Sequence, residues 1–381
     1  MSAIRLIAVL IIVLATAGCG GPRAILGLGS NVSAASPAAI VPVFLATTRA
    51  RSDNLSLPYS AQRSQTLNFA AFDIAIPKAH RRGSVESSGN PDPARHFMAR
   101  SFQPIDGRKK FIERLDAALM QRVPEDRELF IFVHGYNNNI ADSIFRAAQI
   151  AHDYNIRAVT LHYAWPSGGA LPLYVYDRDS TVVGRGGLAE TIEIAAQTKA
   201  RKIILVGHSM GAYVVMEAFR ELAQTGRSRY LKRLSGVVLA APDIDMDAFQ
   251  SQVRDIGELP RPFIIIVSRR DRALGISRRI AGGHARVGSG ADIALLQKEQ
   301  IAVLDVSELD SGSHNVFASS KTLMSLASEG QLMRRVIEGE GAGAAETILA
   351  DGSSVVEGAA SLVVYLPARL LGIVGQAGVM R

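Results

Sequence analysis

The sequence predicts an α/β fold, with a mostly parallel central sheet flanked by helices on both faces. Three times in the middle of the chain, an apolar or β-branched run is followed by a loop and an amphipathic helix. The runs are 129–133, 157–163 and 202–206, and the helices are 141–153, 187–200 and 212–223. Strands that alternate with helices favour parallel pairing through right-handed crossovers.

Further strands are predicted on both sides of this repeated part. Residues 41–46 and 67–76 precede it, and apolar runs follow it at 234–239, 263–267 and 301–306. A short helix is predicted over 111–120, because Phe111 and Leu115 share one face and Pro124 follows its end. The segments 51–66 and 80–110 are polar or rich in glycine and proline, which predicts loops.

Composition is that of an ordinary globular protein. Of the 381 residues, 48% are hydrophobic and 20% are charged, which leaves room for one large domain with appendages. The formal net charge is +7, but the basic pairs are scattered and do not form a stripe with aromatic residues. This pattern disfavours nucleic-acid binding and leaves contact with an anionic membrane surface open.

The N-terminus predicts an export signal over residues 1–19. Arg5 precedes an apolar run over 6–15, and three small residues lead to Cys19, the only cysteine of the chain. The run is shorter than the roughly 20 residues that span a bilayer. The segment resembles a bacterial lipoprotein signal, which implies lipidation of Cys19 and a place in the cell envelope, on the periplasmic or outer-surface side. Thr16 stands where lipoprotein signals usually have leucine. Two alternative interpretations of the segment therefore stay open, a plain secretory signal and an uncleaved anchor.

Composition also predicts where the domain begins and ends. Residues 20–40 are rich in glycine, serine, alanine and proline, as in a flexible linker. The folded domain is predicted over 41–325. Residues 326–381 are predicted to be a Gly/Ala-rich linker and an apolar tail, which either packs on the domain or lies at a membrane interface.

A strand-to-helix junction carries the strongest indication of chemistry. It reads Gly207-His208-Ser209-Met210-Gly211, a G-x-S-x-G pattern between a predicted strand and a predicted helix. Such a tight turn lifts a serine hydroxyl out of the sheet, and only glycine fits two residues on either side. The junction predicts Ser209 as a nucleophile. The alternative is an ordinary connection whose serine caps the helix.

A nucleophilic serine needs a base and a carboxylate that orients the base. Asp271 follows the predicted strand 263–267, and His314 follows the strand 301–306, so both fall at the sheet edge that carries Ser209. We therefore predict Asp271 as the orienting acid and His314 as the general base. Asp271 could instead cap a helix or pair with a neighbouring arginine. Three aspartates and one histidine are rival candidates: Asp243, Asp245, Asp247 and His284.

Backbone N–H groups should stabilise the oxyanion. Met210 begins the helix after the serine, and Tyr136 lies in the loop after strand 129–133, next to Gly135. The stretch 171–176 is predicted either to wall an acyl pocket or to pack against the sheet edge. No metal-binding or nucleotide-binding motif occurs in the sequence, so no cofactor and no metal is predicted.

These motifs resemble those of the α/β-hydrolases, in particular a bacterial branch described as esterase/lipase-like. The similar segments are 45–49, 133–138, 165–167, 207–211 and 240–245. The resemblance covers roughly residues 41–325. It implies the α/β-hydrolase fold and a Ser-Asp-His hydrolase, with Ser209, Asp271 and His314 at the matching positions, and it implies little about the substrate.

Together these observations predict an envelope-tethered serine hydrolase that cleaves carboxylic esters through an acyl-enzyme. Its predicted partners are a small-molecule or lipid ester and a membrane reached through the N-terminal segment, with no nucleic acid. Two alternatives stay open: an acyltransferase that uses the same site, and a non-catalytic envelope lipoprotein that kept the fold.

Overall fold

The computed structural model describes residues 23–28, 36–309, 313–328, 345–348, 354–358 and 362–367. The predicted signal 1–19 and its Cys19 lie outside the described residues. Within the described ranges, no helix is both long enough and apolar enough to cross a membrane.

In the described part of the chain, the centre of the fold is one sheet of twelve strands in the order β10-β11-β12-β9-β8-β7-β6-β4-β5-β1-β2-β3. The seven strands from β9 to β1 in this order pair in parallel, and antiparallel strands extend both edges. The strands are β1 Ala39–Arg51, β2 Tyr59–Ile76, β3 Met98–Ile105, β4 Glu128–Val133, β5 Val159–Ala164, β6 Lys202–His208, β7 Gly236–Ala240, β8 Phe263–Val267, β9 Ala302–Asp305, β10 Ala345–Ile348, β11 Ser354–Gly358 and β12 Leu362–Leu366.

Helices cover both faces of this sheet, which confirms the predicted fold class. One apolar core contains Phe111, Ile192 and Phe219, and the core on the other face contains Ile144 and Phe317. The helices are α1 Gly107–Met120, α2 Ile140–Asp153, α3 Tyr174–Gln197, α4 Met210–Gln224, α5 Met246–Ile256, α6 Arg272–Ile280, α7 Ile293–Lys298, α8 Val316–Ser319 and α9 Lys321–Ser328.

Two predicted loops were wrong in part. β3 lies inside the segment 80–110, and β2 begins at Tyr59, inside the segment 51–66. Among the described strands β3 pairs with β2 alone and lies at the edge of the sheet, where Pro104 and polar residues are tolerated without an apolar pattern. The polar start of β2 pairs with the end of β1.

The third long helix begins at Tyr174, thirteen residues before its predicted start at 187. Glycines in this stretch disfavour a helix by propensity, but the packing requires them. A Cβ at Gly184 would lie 3.0 Å from Cβ of Trp165, and one at Gly187 would lie 2.6 Å from the Tyr163 hydroxyl. Close approach to the sheet therefore outweighs the weak helix propensity.

The flexible linker predicted over 20–40 was wrong for its described part. Ala24 and Leu26 are buried, and the backbone of Leu26 hydrogen bonds with Ser56 at 3.0 Å and with Ala99 at 2.8 Å. β1 begins at Ala39. The apolar side chains of this segment pack on the domain, which its composition alone did not indicate.

The predicted domain end at 325 was also wrong. β12 pairs antiparallel with β9, and β10 and β11 continue the sheet beyond it. Leu362, Val364 and Leu366 are buried against the edge of the sheet. Burial alternates along 362–366, as in a strand with one face covered, so this part of the tail packs on the domain.

Candidate active site

Ser209 lies at the junction of β6 and α4 with φ 55° and ψ −123°, a conformation that non-glycine residues rarely adopt. The neighbouring glycines permit the turn. A Cβ at Gly207 would lie 2.9 Å from Val215, and one at Gly211 would lie 2.7 Å from the carbonyl oxygen of Val133. The strained turn therefore holds the serine side chain at the edge of the sheet, as the G-x-S-x-G pattern predicts.

His314 and Asp271 meet at this same edge. His314 Nδ1 lies 2.7 Å from Asp271 Oδ2, and the side chain of Asp271 is almost completely buried. The other carboxylate oxygen accepts a hydrogen bond from Leu274 N at 3.0 Å and so caps α6. The two interpretations of Asp271 are thus compatible, because each oxygen serves a different partner. With Nδ1–H donated to the carboxylate, His314 presents Nε2 as an acceptor.

Ser209 and His314 line the same cavity, whose volume is about 540 Å³. Both residues are described, and no hydrogen bond joins their side chains. Catalytic hydrogen bonds are often long before substrate binds and shorten in the complex. The arrangement thus places a hydroxyl and an imidazole at one cavity without a direct bond between them. Other residues along the cavity are His134, Gly135, Tyr136, Asn138, Tyr174, Asp243, Ile276 and Ile280.

His208 packs behind His314. The ring centroids lie 4.8 Å apart, and His208 Nε2 lies 3.1 Å from the carbonyl oxygen of His314. Burial holds the pKa of His208 well below its ordinary value. The ring is therefore neutral and donates its Nε2 proton to that carbonyl. The contact joins residues 106 apart in the chain, so no local pattern in the sequence indicates it.

The loop after β4 approaches the serine closely. A Cβ at Gly135 would lie 2.9 Å from His208 Nδ1 and 3.0 Å from Cβ of Ser209, so only glycine fits here. The side-chain amide of Asn138 donates to the carbonyl oxygens of Gly135 at 3.1 Å and Tyr136 at 2.8 Å. These two bonds fix the loop in a tight turn beside Ser209.

A buried arginine and a buried aspartate hold this loop from behind. Arg49 donates to the carbonyl oxygen of Asn138 at 2.7 Å, and the backbone of Asn137 donates to Asp177 at 3.4 Å. Asp177 also accepts hydrogen bonds from Ser167 at 2.6 Å and from the backbone of Gly168. Burial lowers the pKa of Arg49 to about 10, which leaves the side chain charged at neutral pH. No motif in the sequence marks Asp177 as functional, whereas Arg49 ends one of the segments that resemble α/β-hydrolases.

Met210 is the first residue of α4, so its backbone N–H has no acceptor within the helix. The predicted oxyanion donors, Met210 and Tyr136, thus lie on the two segments that converge at Ser209 and Gly135. Tyr136 itself lines the cavity and packs edge-on against Tyr174, with 5.5 Å between the ring centroids.

The rival acids have other partners. Asp243 lies 3.3 Å from Arg286 Nε and accepts hydrogen bonds from Ser277 at 2.6 Å and Tyr174 at 3.3 Å. Asp245 caps α5. Asp247 lies in the first turn of that helix, and His284 is exposed in the loop after α6. None of these acids contacts His314 in the described part of the chain.

Within the stretch 165–176, one aromatic residue packs inside the protein and another lines the cavity. Trp165 is completely buried, stacks on His134 and donates from Nε1 to the His134 carbonyl oxygen at 2.7 Å. Tyr174 lines the cavity at the start of α3. His134 therefore braces the loop, whereas the aromatic residue further along belongs to the cavity wall.

One cluster of His80, His152 and Asp153 has the residue types of a metal site. His80 lies 2.8 Å from Glu86 and 2.9 Å from Asp153, so both of its ring nitrogens face carboxylates. Gln149 then joins Asp153, at 2.6 Å, to the carbonyl oxygen of Ala318 in α8, at 3.0 Å. This network explains the cluster as a brace for the helix that follows His314.

Comparison with known proteins identifies the family. No curated protein matches the chain. A solved structure described as a lipase-esterase related protein from Clostridium acetobutylicum is 15% identical, and the match covers 54% of this chain and 93% of that chain with a TM-score of 0.25. A score this low does not show a shared fold. The sequence profile of one family, however, matches residues 112–334, and the chain therefore belongs to the family described as alpha/beta hydrolase of unknown function (DUF900).

Proposed function

We propose that this hydrolase cleaves carboxylic esters through an acyl-enzyme, with Ser209 as nucleophile, His314 as general base and Asp271 as the carboxylate that orients His314. The observation that carries the proposal is the 2.7 Å contact between His314 Nδ1 and Asp271 beside the cavity that Ser209 also lines. A serine in a strained turn, an oriented imidazole and a buried carboxylate together provide nucleophilic acyl transfer.

The proposed reaction has two halves. The Ser209 oxygen attacks the ester carbonyl while His314 Nε2 takes its proton, and the N–H groups of Met210 and Tyr136 stabilise the oxyanion. His314 then gives the proton to the leaving alcohol, and the acyl group stays on Ser209. His314 then takes a proton from water, whose oxygen attacks this acyl-enzyme. The bond between the acyl group and Ser209 breaks, His314 returns the proton to the Ser209 oxygen, and the acid is released.

Covalent labelling tests this proposal. A fluorophosphonate should attach to Ser209 in the native protein and leave Ser209→Ala unlabelled. That variant should also lose about 10⁴-fold or more of kcat on a soluble chromogenic ester. Ser228→Ala, a matched change at a partly exposed serine, should label and turn over like the native chain. A loss smaller than tenfold in pure Ser209→Ala would rule out the covalent mechanism.

We further propose that the chain is tethered to the cell envelope through a lipidated Cys19. The support is the sequence of residues 1–19, in which a charged and an apolar region precede the only cysteine. Metabolic labelling with a fatty-acid analogue should mark the native chain and not Cys19→Ser. An unlabelled native chain in the membrane fraction would instead indicate an uncleaved anchor.

A further inference from the structure

We propose that the surface around the cavity mouth, formed by α6 and the start of α3, docks onto an anionic lipid bilayer, and that the ester substrate is a lipid of that bilayer. The docking surface is defined by Leu173, Val175, Ile276 and Ile280 with Arg272 and Arg279 of α6. The substrate class rests on the proposed function, whereas docking does not.

Large apolar side chains are exposed at the cavity mouth. Ile276 is 58% exposed and Ile280 is 64% exposed, and both also line the cavity. Val175 is 72% exposed and Leu173 is 40% exposed at the start of α3. Single exposed apolar residues are common, but four around one opening form a surface that favours an apolar partner.

The two sides of this surface are joined. Tyr174, between Leu173 and Val175, lies 3.3 Å through its hydroxyl from Ser277 Oγ, next to Ile276 in α6. Tyr174 also lines the cavity. The apolar residues of α3 and α6 therefore flank one opening and do not form two separate patches.

The charges on α6 fit an anionic partner. Arg272, Ile276 and Ile280 follow one another at four-residue spacing, so they share the exposed face of the helix. Arg279, three residues after Ile276, flanks this face, whereas the exposed Arg278 lies on the opposite side of the helix. Among the residues that the structure describes, Arg272 and Arg279 have no acidic partner.

The acidic residues that the structure describes next to α6 have other partners. Arg269 and Arg270, just before α6, pair with Asp305 at 3.4 Å and Glu308 at 2.9 Å. Asp271 points inward to His314. A helix with exposed isoleucines and unpaired arginines has the pattern of a helix that lies in the membrane interface.

A bilayer satisfies both features at once. Phospholipid phosphates meet the arginines, while Ile276 and Ile280 enter the boundary with the acyl chains. Because these isoleucines also line the cavity, a lipid ester could pass from the bilayer to Ser209 without crossing water. A protein partner would have to place fixed acidic residues against two guanidinium groups beside an apolar centre.

Environment-sensitive probes test where the bilayer sits. In the full-length chain with Cys19→Ser, one variant carries Ile280→Cys and a control carries Val123→Cys, each labelled with the fluorophore NBD. Val123 is a matched apolar residue and is 58% exposed. It precedes β4, at the end of the sheet where the parallel strands begin, whereas the cavity lies where they end. With vesicles of equal phosphatidylglycerol and phosphatidylcholine, the probe at 280 should shift to the blue and the probe at 123 should not.

Charge removal provides the second test. Each basic residue near an anionic surface strengthens binding about fivefold, so Arg272→Gln with Arg279→Gln should weaken vesicle binding about 25-fold. Hydrolysis of a vesicle-borne ester should fall in parallel, and hydrolysis of a soluble short-chain ester should stay unchanged. The control pair, Arg122→Gln with Arg254→Gln, removes the same charge from exposed arginines near the opposite edge of the sheet.

Three results would overturn the docking proposal. One is vesicle binding without any shift of the probe at 280. A second is equal weakening by the control pair. A third is a blue shift of the probe at 280 that occurs without vesicles as the protein doubles in mass with rising concentration. That result would show that the surface is an interface between two copies of the chain. If the chain docks on vesicles but its Ser209→Ala variant stays fully active, the proposed function is wrong and the docking proposal still stands.

Discussion

His208 donates a hydrogen bond from Nε2 to the backbone carbonyl of His314 at 3.1 Å, and the two rings pack with centroids 4.8 Å apart. His314 is therefore held on one side by Asp271 and on the other by the residue that precedes Ser209 in the chain. The contact links β6 directly to the loop that carries the proposed base. We regard His208 as a positioning residue.

Removal of this brace should loosen His314. His208→Ala should lower kcat roughly tenfold to hundredfold, because displacement of a catalytic group by about 1 Å costs as much as 10² in rate. His208→Gln keeps a side-chain donor and should recover part of the loss. Steady-state kinetics on a soluble ester measures both variants. Equal losses in the alanine and glutamine variants, with native melting temperatures, would speak against the role of the hydrogen bond.

Asp271→Asn separates the two roles of this residue. The amide cannot stabilise an imidazolium as a carboxylate does, so kcat should fall about 10⁴-fold. Asparagine is as good a helix cap as aspartate, so α6 and the melting temperature should be preserved. Kinetics and thermal unfolding of the same sample distinguish the two effects.

Asp243→Asn is the matched change at the rival acid. Its carboxylate faces Arg286, Ser277 and Tyr174, so this variant should affect stability and the cavity wall more than turnover. If Asp243→Asn abolishes turnover and Asp271→Asn does not, the acid has been assigned wrongly.

Gly135→Ala tests the close approach beside the serine. The new methyl group would lie 2.9 Å from His208 and 3.0 Å from Ser209, so the loop or the turn must shift. We expect kcat to fall about 10²-fold or more, since the oxyanion donors move with the loop. Gly275→Ala is the contrasting change, because no atom lies within 4 Å of its Cβ. It should raise the free energy of unfolding by up to about 1 kcal/mol through helix propensity, without loss of kcat. Equal kcat in both alanine variants would contradict the steric argument.

Stability should depend on pH through His80. Burial lowers the pKa of His80, but hydrogen bonds with Asp153 and Glu86 outweigh it and raise the pKa above 6.5. The charged form is thus favoured by folding, and its contribution is complete below pH 6.5 and lost as the pH rises through the folded pKa. His80→Gln should cost on the order of 3 kcal/mol at low pH, as for other buried pairs that lose one partner, and the difference from the native chain should shrink at alkaline pH.

Asp153 determines how the stability of the same cluster depends on pH in acid. Burial raises its pKa, but hydrogen bonds from His152 and His80 outweigh burial and hold the pKa well below 3.8. Its contribution is present above pH 3.8 and is lost as the pH falls through the folded pKa. Urea unfolding across this range measures both effects. His284→Gln, at an exposed histidine, is the control and should leave the profile unchanged. A pH-independent cost of His80→Gln would disprove the charge argument.

Local patterns in the sequence were sufficient for the central strands and for the order of the proposed catalytic residues. β4, β6 and β8 are continuous apolar runs, because a strand covered on both faces must be apolar throughout. The edge strands were missed or cut short, since one exposed side removes that constraint. β3 therefore has no comparable pattern. β12 is an apolar run within the predicted apolar tail, but the sequence left open whether that run packs on the domain.

The sequence by itself determined that Ser209 stands in a strand-to-helix turn, because glycines two residues away on either side leave few other conformations. Only the tertiary structure decided which of several acids meets His314, which loop touches the serine and that Arg49, Asp177 and His208 hold the surroundings in place. The physical reason is the separation in the chain between the residues that interact. A turn is specified by neighbours in the chain, whereas a contact between residues 43 apart, such as Asp271 and His314, exists only once the sheet has brought two loops together.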